Sequence, residues 1–495
     1  MTSAEVAAQI SSALKDSSLV FVAPEAERAL GLIDFLENYS VVSNTKDSLL
    51  DELASRSIGK YIHSTNGTAG ILNTSEFTEF LATKGKAYLQ FFKPTADTYI
   101  DKEVKILNNS TTLTRTLENK LTQLQMFSNS EELKKYVPPS KVAPLSSLNY
   151  QDLVSEFAGF VVQLPFGHTG NSTYIFPAQD KAADEDALTK LQKEFPQRQC
   201  KVSKKVDGYP LTVNSCLYRG QTYTAGLSYQ FTGIPALTGM AAATVGNDWA
   251  ITSNLVPPEI QREVITLTEE VGKILAKDCK FRGLFGLDLI YSATDNKLYL
   301  IELNPRQVAS VSFLSRLQSY ANEVSLSMLH LAEFLDLQLA LGFSAQQYSL
   351  KNLSSYSAAQ LLLRVKNQSG LTLPLDKEVI NGFYRQQADT TAEQLIKEGK
   401  IDNVIFLDSE HDRPMILQKA ANYFNDQTAV GALLTVKNPG LHLEHNAEIA
   451  RVQADFGFCQ YNHLSGQEIR ELQILPLPLD LLAIISTMLG NENTN

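Results

Sequence analysis

Three observations predict an α/β and α+β chain in three parts. Strand and helix patterns alternate over roughly the first 110 residues, strand pairs joined by turn dipeptides dominate residues 152–300, and a mixed segment follows from about residue 331. The expected domains are therefore 1–110, 111–330 and 331–495. In the first, Leu19–Ala23, Val41–Ser43, Tyr61–Ile62 and Tyr88–Phe92 read as short buried strands, and Ala26–Leu36, Lys46–Ser55 and Ser75–Thr83 as helices between them. That alternation is the pattern of a parallel sheet with helices on its faces. No Gly-x-Gly-x-x-Gly follows the first strand, so a dinucleotide site there is not expected. A helix from about Thr111 to Phe127 carries Glu118-Asn119-Lys120 and leads to a joint at Pro138-Pro139. Hairpin turns are expected at Asp207-Gly208 and Arg219-Gly220. A long helix, Pro258 to Cys279, opens with Pro257-Pro258, which suits a first turn where a missing N–H costs nothing. After a helical stretch over about Ser312–Leu341, strands are expected at Gln360–Val365, Asn403–Leu407 and Val430–Val436.

The segment Gly283–Arg306 carries the most chemistry. Two arms rich in β-branched, aromatic and Leu residues flank the polar turn Ala293–Lys297, which predicts a β-hairpin. A turn centred on Asp295 sets Asp288 opposite Glu302. Directly opposed residues have Cβ atoms about 4.5–5.5 Å apart, and like charges there repel. Asn304 shares a face with Glu302 because side chains alternate along a strand. Two carboxylates and an amide oxygen make a hard, all-oxygen site suited to Mg²⁺, and the cation removes the repulsion. A solvated sheet face would also hold such acids; the Asn304-Pro305-Arg306 that follows favours the metal reading.

Composition narrows the class. With 495 residues, 44% hydrophobic and 20% charged, the chain has the makeup of a globular protein of several domains. Net charge is −11 and no block of basic residues occurs, which argues against a nucleic-acid groove. Cys200, Cys216, Cys279 and Cys459 are widely spaced without a CxxC, as suits a reducing compartment, and no zinc site is expected. The start has an early acid at Glu5 and no basic region before an apolar run. The apolar tail Leu475–Leu489 is short and interrupted by Pro476, Pro478 and Asp480, so a docked terminal helix is expected rather than a membrane span. A soluble, cytoplasmic protein follows as the expectation.

Several other constellations bear on function. Phe160–Gln163 reads as a strand ending in a loop with Gly167, Thr169, Gly170, Ser172 and Thr173, which can turn backbone N–H groups onto phosphate oxygens, although a plain hairpin connection needs the same residue types. Lys120 beside Glu118 is equally a feature of solvated helix faces. Gly246-Asn247-Asp248-Trp249 holds the only tryptophan, which packing alone accounts for, while Asn247 and Asp248 are candidates to line a ligand site. His442-x-x-His445 has metal-like spacing but sits in a strand-turn region where a surface turn is the simpler reading. Ser203-Lys204 lacks an oxyanion loop, and Cys216 on a strand reads as a small buried hydrophobe.

In this order, Glu118-Asn119-Lys120, the glycine loop 163–173, Lys204-Lys205-Val206-Asp207-Gly208, and Gly286-Leu287-Asp288 with Ile301-Glu302-Leu303-Asn304-Pro305-Arg306 resemble the ATP-grasp superfamily. Ser228–Ile234 and the Gly246–Trp249 stretch resemble its biotin-carboxylase-like subgroup of carboxylate–amine ligases. The resemblance implies an N-terminal Rossmann-like pre-ATP-grasp domain, a two-subdomain ATP-grasp core with antiparallel sheets, and a C-terminal α+β domain. It implies ATP with Mg²⁺, or Mn²⁺ in its place, held by Asp288, Glu302 and Asn304. The loop from Gln163 through Gly167, Thr169, Gly170, Ser172 and Thr173 would cover the phosphates, Lys120 would reach them, and backbone at Lys204 and Val206 would receive the adenine edge. Arg306 would sit beside the transferred phosphoryl group and the acceptor carboxylate. The implied partners are a small-molecule carboxylate and an amine, with a homodimer allowed and neither nucleic acid nor membrane.

One position and one segment depart from that pattern. Gln163 stands where a lysine is common at the strand end, and Lys204-Lys205 stand where acids are frequent. The leading expectation is a ligase that activates a carboxylate as an acyl phosphate for attack by an amine or similar nucleophile. The alternatives are a nucleotide-binding regulatory protein without turnover, with Gln163 as its mark, and a biotin-carboxylase-type carboxylating enzyme.

Overall fold

The computed structural model describes residues 1–32, 35–99, 104–167, 170, 172–375, 382–386, 404–406, 432–438, 441–454, 457–463, 470–474, 482–483, 485–487 and 489–491. Five parallel strands form the amino-terminal sheet in the spatial order Gly59–Tyr61, Tyr39–Ser43, Ser18–Ala23, Ala87–Phe91, Val104–Ile106. Both faces are covered. Val20 and Val22 pack with Ile71, Phe77 and Leu81, whereas Leu19 and Phe21 pack with Val6, Ile10 and Leu14. The latter three belong to or follow a helix, Ser3–Ala13, that the periodicity reading passed over. Its signal was present: Thr2 caps Glu5 and Glu5 caps Thr2 reciprocally, just before the apolar Val6 and Ile10.

The helix expected over Ala26–Leu36 is instead a single 3-10 turn, Ala26–Ala29, with Ile33 and Asp34 outside the described residues. Gly31 ends it at φ +96°, and a Cβ there would lie 2.8 Å from Ser315 Cβ, so the backbone turns away to pass a neighbouring helix. The helix expected over Thr111–Phe127 is two, Thr111–Glu118 and Lys120–Ser128. Asn119 breaks it by adopting ψ 116°, and its Oδ1 accepts from the Leu121 N–H at 2.9 Å to cap the second helix. The helical stretch after Arg306 likewise divides into Val311–Tyr320 and Leu326–Phe334.

A four-stranded antiparallel sheet follows, in the order Ser140–Pro144, Gln199–Lys204, Phe160–Gln163, Thr173–Phe176. With helices Tyr150–Phe157 and Lys181–Glu194 it encloses its own core around Phe160, Val162, Phe176, Leu188 and Val202. Asp207-Gly208 is therefore not a hairpin turn; it carries the chain from this sheet to a larger one. Gly208 is required there because a Cβ would meet Tyr291 O at 2.4 Å. Arg219-Gly220 is a hairpin turn, with φ +50° and +73°, as two-residue hairpin loops need.

Among the described residues the larger sheet has ten strands, drawn from between Tyr209 and Ala454. From one edge inward run Lys297–Asn304, Gly283–Ser292, Tyr209–Tyr218, Gln221–Thr232 and Thr244–Asp248. Ala359–Arg364 and Glu448–Ala454 continue the same ladder, followed by Ala432–Val436, Gly382–Gln386 and Val404–Phe406. Leu287 and Leu303 of the first edge share one core with Leu361 and Val452 of the carboxy-terminal strands, and Leu482, Ile485 and Leu489 of the tail are buried in it. Pro476, Pro478 and Asp480 lie outside the described residues. Among the described residues no helix is long and apolar enough to cross a membrane.

A buried ionic cluster fastens the amino-terminal sheet to this ladder. Arg451 makes a two-point contact with Glu448 at 2.9 and 2.7 Å and donates to Glu27 at 3.0 Å, and Arg28 reaches Glu448 at 3.4 Å. Burial opposes ionisation of Glu448, yet Arg451 and Arg28 outweigh it and hold its carboxyl well below the usual range. Removing one partner leaves the other charges buried without compensation, so Glu448→Gln should lose about 3–5 kcal/mol of stability in a denaturant titration.

Candidate active site

The hairpin Gly283–Ser292 and Lys297–Asn304 pairs from Ser292↔Lys297 to Leu289↔Leu300, then shifts register and resumes at Asp288↔Glu302. The expected opposition of the two acids is present, by a different route. The turn is not centred on Asp295; a bulge at Ile301 brings the acids into register. Asn296 at φ +46° closes the loop. Asp288 Oδ1 accepts from Thr212 Oγ1 at 3.0 Å and Gln230 Nε2 at 3.2 Å, and Oδ2 accepts from Asn304 Nδ2 at 3.1 Å. Burial first, and the adjacent Glu302 second, push the Asp288 carboxyl up to about 6 despite those three donors.

Lys120 is not on a solvated face. It is 4% exposed, and its Nζ donates to Glu302 Oε1 at 3.1 Å. Gln123, one turn along, donates to Leu303 O at 2.7 Å and accepts from Leu303 N–H at 2.9 Å, which locks the helix to the hairpin. Arg306 donates to Glu118 Oε1 at 2.9 Å and to Asn304 Oδ1 at 3.3 Å, while Glu118 Oε2 lies 3.2 Å from Lys93 Nζ of the amino-terminal unit. The trio Glu118-Asn119-Lys120 thus divides its work: Glu118 holds Arg306, Asn119 turns the backbone, and Lys120 meets Glu302.

Gly170 of the glycine loop packs against the segment between two strands of the larger sheet, Gln221–Thr232 and Thr244–Asp248. Gly170 has φ +83°, and a Cβ there would meet Ala242 C at 2.6 Å. Gly167 fits against Ser172, whose O accepts from Leu164 N–H at 2.9 Å. Gln163 Nε2 donates to Thr173 Oγ1 at 3.4 Å across the loop mouth, and Pro165 O accepts the Lys120 N–H at 3.0 Å. Thr169 lies outside the described residues. At the joint between the two sheets, the Lys204 N–H donates to Pro139 O and the Lys205 N–H to Gly159 O, both at 2.9 Å. Lys204 is exposed and Val206 half-buried.

Other candidates stand apart. His442 shares a hydrogen bond with Thr372 Oγ1 at 3.0 Å and His445 with Asn367 O at 3.1 Å, each locally engaged. Asp248 accepts from the backbone of Ile251, Phe458 and Cys459, and Trp249 is buried against Phe313. Burial pushes the Cys216 thiol well up, as for an inert core residue. The sequence gives no sign of Thr212, Gln123 and Lys201, whose importance comes from neighbouring strands and helices, while Gln230 lies in the singled-out stretch Ser228–Ile234 without an assigned role.

Among the described residues no group of three or more His, Cys, Asp or Glu is placed to hold a metal ion. A cation here would therefore draw two carboxylates from the protein and its other oxygens from Asn304, phosphate or water, which is the habit of Mg²⁺ in phosphoryl-transfer sites. The donor set fits that ion.

A parallel-sheet unit, a small antiparallel clamp and a large antiparallel sheet carrying this hairpin make a fold shared with solved synthetases that bind ATP or ADP. No protein-family model matches the sequence, and no curated protein matches it. Among solved structures, carboxyaminoimidazole ribonucleotide synthase from Aspergillus clavatus complexed with ATP is 14% identical at TM-score 0.51, covering 96% of this chain and 100% of that one. The N5-carboxyaminoimidazole synthase of the same organism with ADP and 5-aminoimidazole ribonucleotide is 13% identical at TM-score 0.50, over 89% and 94% of the two chains. The N5-carboxyaminoimidazole synthetase of Staphylococcus aureus complexed with ADP is 11% identical at TM-score 0.50, over 95% and 98%.

Because a carboxylate must be deprotonated to bind a metal, Mn²⁺ titrations followed by water proton relaxation should show affinity constant above pH 7. Below about pH 6, as Asp288 takes up its proton, affinity should fall by about tenfold per unit.

Proposed function

We propose that the chain is an ATP- and Mg²⁺-dependent ligase that activates a carboxylate as an acyl phosphate for attack by an amine or similar nucleophile. The observation that carries this reading is the opposition of Asp288 and Glu302 within reach of Lys120, Asn304 and Arg306. Asp288, Glu302 and Asn304 would hold one or two Mg²⁺ ions, with Mn²⁺ as a substitute, and the metal would neutralise phosphate charge during transfer. Lys120 would move from its contact with Glu302 toward the phosphates once the metal takes that carboxylate. Gln163, Gly167, Thr169, Gly170, Ser172 and Thr173 would close over the phosphates, and backbone at Lys204 and Val206 would meet the adenine edge.

Arg306, anchored by Glu118, would face the transferred phosphoryl group and the acceptor carboxylate. Its planar fork of donors binds two oxyanions at once, which brings the reacting oxygens into line. A carboxylate oxygen attacks the γ-phosphorus as the bond to ADP breaks. The amine nitrogen then attacks the acyl carbon, phosphate departs and the nitrogen loses a proton. Phosphoryl transfer of this kind rests on positioning and charge neutralisation. We read the division of labour as 1–110 for the acceptor side, 111–330 for nucleotide and metal, and 331–495 for closing the acceptor wall.

ADP release measured against a panel of acids, bicarbonate included, with amine partners should identify turnover. Tight ATP binding with no ADP release for any pair favours the regulatory alternative, which Gln163 recommends. Glu302→Gln should abolish Mg·ATP turnover while far-ultraviolet dichroism stays that of the parent; retained turnover removes the metal assignment.

A further inference from the structure

Among the described residues Lys201 is a buried cation that makes no ion pair. It is 5% exposed, and its Nζ donates to Ile301 O at 3.4 Å. Among the described residues no carboxylate lies within 4.0 Å of it, because the nearby Glu302 is already paired with Lys120 at 3.1 Å. An ammonium has three N–H donors, and one long bond to a carbonyl leaves most of that capacity unused. Burial pulls its amine down to about 8, Glu302 opposing and Lys120 adding to the shift. A buried lysine held this way is costly unless an anion arrives to meet it.

The position of Lys201 indicates which anion. In the clamping sheet Lys201 is the direct cross-strand partner of Gln163. Opposed residues on an antiparallel pair project from the same face with Cβ atoms about 5 Å apart. A lysine rooted at 201 therefore enters the same space as one rooted at 163. Gln163 itself is engaged with Thr173 across the loop mouth, a contact that braces the loop. The Ile301 carbonyl that receives Lys201 belongs to the bulged residue beside Glu302, so the ammonium is held at the rim of the carboxylate site.

We propose that Lys201 binds the α- and β-phosphates of the nucleotide, supplying from the neighbouring strand the cation that Gln163 does not provide. The proposal rests on the nucleotide reading above and names a binding residue within it. Asn304 and the two acids would hold the metal side of the same phosphates, and Lys201 would hold the clamp side.

The test compares binding of Mg·ADP and of adenosine to the full chain, its Lys201→Met variant and the Gln163→Lys/Lys201→Met double variant. Loss of a charge-assisted contact should weaken Mg·ADP by about tenfold or more in Lys201→Met, with adenosine unchanged, and the double variant should recover most of the loss. A purely structural lysine would lower thermal stability without changing the preference for ADP over adenosine, and that result overturns the proposal. Should Lys201→Met fail to fold, reductive methylation of the unaltered protein read by mass spectrometry decides the matter. Lys201 should be protected by Mg·ADP and not by adenosine; equal labelling in both overturns the assignment. If the unaltered protein binds no Mg·ADP at all, the nucleotide reading itself falls, whereas binding that is indifferent to position 201 removes the Lys201 proposal alone.

Discussion

Asp288 and Glu302 lie side by side on paired strands, and the surrounding structure is arranged around the cost of that placement. Two unit charges about 5 Å apart at an effective dielectric of about 20 repel by about 3 kcal/mol, comparable with a third of a typical domain's stability. Without a metal the chain offsets this in two ways. Lys120 donates to Glu302, and Thr212, Gln230 and Asn304 donate to Asp288, which still titrates high because it is buried. The site is stabilised, and each of those donors occupies an oxygen that a cation would need. Under the proposed function, metal arrival would release Lys120, and charge compensation and phosphate recognition would then be coupled through a single lysine.

The rest of the fold serves to hold that arrangement in place. Gln123 ties the Lys120 helix to the hairpin backbone, and Glu118 links Arg306 to Lys93 at the end of an amino-terminal strand. In a parallel sheet of the order found here, ligands gather outside the carboxyl ends of the strands where the order reverses. The loops after Ala23 and Phe91 lie at that reversal. Arg28 stacks over Phe92 at 5.1 Å and Arg306 approaches the same ring at 6.0 Å, so both loops meet the hairpin there. The Glu27, Glu448 and Arg451 cluster fixes the same edge from the carboxy-terminal side.

Legibility from the sequence followed how local each feature is. Four of the five strands of the amino-terminal sheet, the long helix from Pro258 and the acidic hairpin are readable because pattern and turn chemistry lie within a few residues, whereas the short edge strand Val104–Ile106 is not. Break points were less so. Asn119 splits a helix by capping, and Gly31 ends one because a distant helix crowds it, neither of which periodicity registers. The Asp288–Glu302 pairing was anticipated from a turn position that is half a residue off, and a bulge at Ile301 compensates. Lys201 carried no signal at all: it is one lysine on a strand, and only the cross-strand register sets it beside Gln163. The continuation of the large sheet into residues 359–454 was equally hidden, since strand order is not written along the chain.

The central claim is that the two opposed acids grip one divalent ion. A crystal of the chain with Mn²⁺ and a non-hydrolysable ATP analogue tests it through the anomalous signal of the metal. An ion gripped by both acids gives a peak within about 2.0–2.3 Å of oxygens from both Asp288 and Glu302, with phosphate oxygens completing the shell. A peak touching one acid alone, or a nucleotide seated away from the hairpin, would contradict it.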